Sequence, residues 1–106
     1  MPHKARVVVW YDAAQKVCRV SPPWAIGAGG DHIAWFNRTG QPIHVHVNAG
    51  VCDPLNEPIE IDIKDGGHQH VQIAQNAPAG SLSYRIFCNR TMSSAIGNSE
   101  PEIIVE

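Results

Sequence analysis

Apolar and polar residues alternate along this chain in short runs, and turn-forming residues separate the runs. The first run, Arg6-Val7-Val8-Val9-Trp10-Tyr11, is β-branched and aromatic and predicts a strand. Lys16-Val17-Cys18-Arg19-Val20 predicts a second, and Ser21-Pro22-Pro23 ends it because proline removes a ladder donor. Turns at 28–31 and 37–42 frame His32-Ile33-Ala34-Trp35-Phe36-Asn37 and Ile43-His44-Val45-His46-Val47, the latter alternating with period two. Further strands are expected over 59–63, 68–74, 82–88 and 101–105. The connections at 48–58 and 91–97 have room for one short helical turn each. About eight short strands at regular spacing, with no sustained helical period, predict an all-β fold, an antiparallel β-sandwich.

Alternation also assigns faces. In strand 43–47, Ile43, Val45 and Val47 share one side and His44 and His46 the other. The apolar set belongs to the core, so the two histidines are expected to point outward. Trp10, Trp24 and Trp35 lie in strand contexts and are expected in the core.

A length of 106 residues suits one domain, 1–106, with a modest core. Net charge is -2, which gives no clustered basic excess of the kind nucleic-acid partners call for. No apolar run is long enough for a membrane span. Residues 1–10 lack the apolar stretch of a secretory leader. The expectation is a cytoplasmic protein if the chain is complete, and a periplasmic or secreted one if a leader was removed.

Three cysteines, Cys18, Cys52 and Cys88, are scattered with no C-x-x-C pair, which excludes zinc-ribbon and thioredoxin-like motifs. They read either as buried free thiols or as one disulfide plus a free thiol, with a Cys52–Cys88 bridge one pairing to consider. His44 with His46, and His68 with His70, are i, i+2 pairs of a spacing that can chelate a metal, but each pair reads first as exposed histidines on a solvated face. His3 follows Pro2, which has no N–H for an amino-terminal copper site. Asn37-Arg38-Thr39 and Asn89-Arg90-Thr91 match the glycosylation pattern by chance. No spacing gives Cys88 a catalytic base, so no enzyme is expected.

Three segments taken in order resemble the cupredoxins, the blue-copper β-sandwich family. They are Val20 to Asn37, with its Gly30-Asp31 turn and Trp35; Pro78-Ala79-Gly80 with Tyr84-Arg85-Ile86-Phe87-Cys88; and Gly97 to Val105. Asn37 to His46 resembles the amicyanin and plastocyanin branches most closely. The resemblance implies a Greek-key sandwich with site-bearing loops at one end. It also implies copper held by two imidazoles, one thiolate and a weak axial methionine.

Carried over residue by residue, Cys88 matches the thiolate, but Thr91 stands three residues later in place of histidine, and Met92 follows too closely for the usual axial ligand. Aligned on Asn37 and Pro42 without a gap, the upstream histidine falls on Ile43. A one-residue slip would substitute His44 but would turn Val45 and Val47 outward. The expectation is therefore a cupredoxin-like protein without a complete type 1 copper site or cofactor. It would bind an unidentified protein partner through the loop end around Gln41–Ile43 and Asn89–Ile96. The competing expectation is a copper-binding or electron-transfer protein whose altered site uses Cys88 and His44 or His46, with Met92.

Overall fold

The computed structural model describes residues 4–95 and 100–106. His3, Ile96 and the start of the 97–105 segment lie outside the described residues. The strands are β1 (Lys4–Asp12), β2 (Val17–Ser21), β3 (Trp24–Gly27), β4 (His32–Arg38), β5 (Ile43–Val47), β6 (Ile59–Ile63), β7 (His68–Gln72), β8 (Gly80–Ser83), β9 (Arg85–Cys88), β10 (Ser93–Ser94) and β11 (Glu102–Val105). Among the described residues no helix forms, including the turns expected within 48–58 and 91–95. It follows that no described helix is long and apolar enough to cross a membrane.

The strands order as β2-β1-β4-β7, β10-β9-β5-β6 and β3-β11-β8. Most pairings are antiparallel, but β1 with β4 and β11 with β3 run parallel. Those parallel contacts correct a purely antiparallel reading. Pairing partners decide strand direction, and alternation carries no information about them.

Two further corrections concern strand limits. The Pro22-Pro23 pair ends β2 in one sheet, and the chain re-enters as β3 in another, a strand the sequence pattern did not separate. The run 82–88 is two strands. Its first half pairs with β11 and its second with β5, with Tyr84 at the join. The two smaller sheets thus adjoin at Tyr84, where β8 of one runs on into β9 of the other.

Inward residues from both sides meet in one core that includes Val7, Val9, Ile33, Trp35, Ile86 and Ile103. Trp35 is fully buried, as expected, but Trp10 and Trp24 are not: they keep 38% and 51% of their surface. Val9 and Ala25, their neighbours in sequence, take the inward positions instead. Both faces of these short runs are apolar, so composition did not show which one the sheet buries.

One polar contact in the core joins two large aromatic side chains. Trp35 Nε1–H donates to the Tyr84 hydroxyl at 3.1 Å, with the rings edge to face at 5.6 Å. Burial pushes the phenol pKa up to about 12, so the hydroxyl stays protonated. Tyr84→Phe leaves the indole N–H buried without a partner, and denaturant unfolding should show a loss of about 1–2 kcal/mol.

Candidate functional site

Strand β5 organises the end of the sandwich where the candidate residues lie. It pairs with β9 so that Ile43 faces Cys88, His44 faces Phe87 and Val45 faces Ile86. It pairs with β6 so that His44 faces Asp62 and His46 faces Glu60. Ile43, Val45 and Val47 are buried and the two histidines are half exposed. This is the ungapped register, with every imidazole of the strand on the outer side of the sheet.

Cys88 is fully buried on the inner side. Its sulfur is bonded to Cys18 of β2, with the Cα atoms 6.5 Å apart. The pairing corrects the Cys52–Cys88 alternative. Cys18 and Cys88 are inward residues of opposing sheets and lie within the Cα range of a disulfide. Cys52 remains a buried free thiol whose pKa burial pushes up to about 11. Neither sulfur is a thiolate at neutral pH, because one is in a bridge and the other is held protonated.

Cys88, His44, His46 and Met92 are therefore not brought together. The sulfur is inside the sheet and covalently bonded, and the imidazoles are outside it. Met92 is 73% exposed on the loop after β9, with a positive φ of 52°. Among the described residues no group of three His, Cys, Asp or Glu side chains is arranged to hold a metal ion. His68 and His70 lie on β7, in a different sheet from His44 and His46.

The outer imidazoles are tied instead to carboxylates. His44 Nδ1 donates to Asp62 Oδ1 at 2.7 Å, and its Nε2 lies 3.5 Å from Glu60 Oε1. His46 lies 3.3 Å from the same Glu60 oxygen and 3.0 Å from Asn48 Oδ1. The hydrogen bond to Asp62 raises the His44 pKa above its ordinary value, against a smaller opposing effect of burial.

A raised histidine pKa stabilises the fold when the ring is charged. The contribution is complete below the unfolded pKa and is lost as pH rises through the folded one. Solvent screens a ring this exposed, so the stability effect is small. In an NMR titration the His44 midpoint should fall in Asp62→Asn, and the acid-side stability gain should disappear with it.

The loop after β9 is held against the turn before β5. Asn89 N–H donates to the Pro42 carbonyl at 3.3 Å, and the Arg90 guanidinium donates to the Thr39 carbonyl at 3.1 Å. Arg90 also lies 4.0 Å over the Tyr11 ring. Gly40 takes a φ of 89°, and a Cβ there would fall 2.6 Å from Arg90 Nη1, so glycine fits on both counts.

The structure thus joins 41–43 to 89–95 in one loop end, exposing Gln41, Pro42, Asn89 and Met92 while Ile43 stays inside. An open cavity of about 510 Å³ adjoins it, lined by residues that include Pro42, Ile63, Lys64 and His68. Sequence reasoning missed two features here, the Arg90–Tyr11 contact and the Cys18 bridge. Both depend on residues distant in the chain, and no local pattern marks them.

This architecture is the cupredoxin fold. No protein-family model and no curated protein matches the chain. Among solved structures it is similar to amicyanins. One, with methionine replaced by alanine and in its Cu(I) state, shares 18% identity at a TM-score of 0.60, covering 99% of this chain and 82% of that one. An oxidised amicyanin with methionine replaced by lysine gives 18% and 0.61 over the same shares of each chain. A Cu(I) amicyanin with methionine replaced by glutamine gives 21% and 0.58, covering 96% of this chain and 83% of that one. At these identities the likeness establishes the fold alone.

Proposed function

We propose that this chain is a non-enzymatic binding module on a cupredoxin-like fold, working without a type 1 copper centre. A protein partner would meet it at the loop end formed by 41–43 and 89–95. The observation that carries this reading is the Cys18–Cys88 bridge. It occupies the sulfur that the resemblance assigns to copper, while Ile43 and Thr91 stand at the matched histidine positions. The loop end supports a docking role because main-chain and guanidinium hydrogen bonds hold it in shape, which lowers the ordering cost of binding.

Copper binding or electron transfer through Cys88 with His44 or His46 ranks second. It needs the bridge opened and ligands from opposite faces of one sheet. A buried inter-sheet disulfide suits an oxidising compartment, and it supports the proposal that the chain works outside the reducing cytosol.

The loop reading is tested with tagged chains expressed in the native cell. Met92→Asp with Gln41→Asp should lose the protein that co-purifies with the unaltered chain, while the unfolding midpoint stays put because both side chains are exposed. Undiminished co-purification would place the contact elsewhere.

A further inference from the structure

The outer face of the β2-β1-β4-β7 sheet carries chemistry that the loop end does not use. Register puts Arg6 beside Ala34, Val8 beside Phe36 and Trp10 beside Arg38. His68 lies beside Phe36, His70 beside Ala34, and Arg19 beside Trp10. These positions alternate with the buried Val7, Val9, Ile33 and Trp35, so they point away from the core.

The outward side chains brace one another. The Arg6 guanidinium lies 5.9 Å over the Phe36 ring, His68 stacks on that ring at 5.2 Å, and His32 meets His70 edge to face at 5.5 Å. Arg6, Arg38, His68 and His70 are exposed, and Trp10 keeps 38% of its surface.

Charge on this face is mostly positive. Among the described outward side chains of the four strands the one carboxylate is Asp12, and Arg19 holds it at 2.8 Å. Arg6 and Arg38 make no ion pair among the described residues. The outer face of β5 and β6 instead carries Glu60 and Asp62. A chain with a net charge of -2 therefore presents one basic, aromatic sheet face.

We infer that this face docks an acidic protein surface, with Arg6 and Arg38 taking carboxylates and Trp10 and Phe36 supplying the apolar anchor. Guanidinium forks match carboxylates in two-point hydrogen bonds. Exposed Trp and Arg are the residue types that dominate binding energy at protein interfaces. The ring contacts fix Arg6, Phe36 and His68 before binding, which lowers the ordering cost. A single-stranded nucleic acid is less suited, because such ligands follow positively charged grooves, and here the surface is a sheet on a net-negative molecule.

The test uses the isotope-labelled full chain and a synthetic peptide of alternating aspartate and phenylalanine. Amide shifts should concentrate at Arg6 to Trp10, Phe36, Arg38 and His68 to His70. Arg6→Glu with Arg38→Glu should weaken the peptide about tenfold or more. Trp10→Ala should weaken it as well without reversing charge, and Arg85→Glu, on β9 in another sheet, should leave it unchanged. The unfolding midpoint of each variant reports that it folds. Four outcomes overturn the inference: shifts elsewhere or none; affinity indifferent to the Arg6 and Arg38 reversal; tighter binding of a single-stranded RNA oligonucleotide at the same face; or self-association of the peptide-free chain through it in sedimentation.

Discussion

Replacing Cys18 and Cys88 together with alanine should lower the unfolding free energy by about 4 kcal/mol. The bridge joins residues 70 apart in sequence, and a cross-link over that length removes much of the conformational freedom of the unfolded chain. It also ties β2 in one sheet to β9 in another through the middle of the core. The measurement is urea unfolding of the double variant beside the unaltered protein, with Cys52→Ala as the control for losing a buried sulfur. A loss no larger than that of the control would mean that the bridge contributes nothing to stability.

Asn37→Ala should cost about 3 kcal/mol, the second largest effect expected. Asn37 is fully buried. Its amide donates to the Gln41 carbonyl at 2.8 Å and the Ile63 carbonyl at 3.0 Å. Its carbonyl oxygen accepts from Thr39 N–H at 3.0 Å and from the Thr39 hydroxyl at 2.7 Å. One side chain thus closes the 38–42 turn and fastens it to β6.

Alanine leaves the Gln41 and Ile63 carbonyls without these donors and the Thr39 N–H without its acceptor, all in or beside the core. Asn37→Asp keeps the acceptor, loses both donors and adds a buried charge, so it should also destabilise. Thermal unfolding of both variants reads the effect. The loop end should loosen in the alanine variant, seen as faster amide exchange at Gln41 and Asn89. An alanine variant as stable as the unaltered chain would remove Asn37 from this role.

How far the sequence could be read depends on which physical signal each feature leaves there. Strand β5 was legible down to its faces, because Ile43, Val45 and Val47 alternate with polar residues and only one register buries them all. The switch at Tyr84 was not legible. Tyr84, Ile86 and Cys88 all point inward, so the alternation runs unbroken while the partner strand changes from β11 to β5. Trp10 and Trp24 misled for a related reason: Val8 and Ile26 accompany them on the outer side, and an apolar pattern on both faces names neither as buried. The sulfur pairing was out of reach because it depends on which strands oppose each other across the core. The basic outer face was hidden in the same way, since Arg6, Arg38 and His68 come together only through the β1-β4-β7 order.

On the proposed function, the sulfur at position 88 serves a bridge and not a copper ion. A copper titration separates the two roles, with the oxidised and the reduced protein followed by visible absorption and by metal analysis after dialysis. No stoichiometric copper is expected in the oxidised protein, and no thiolate-to-copper charge-transfer band in either form. An intense visible band that appears on adding copper(II) and vanishes in Cys88→Ala would contradict it and return the chain to redox chemistry.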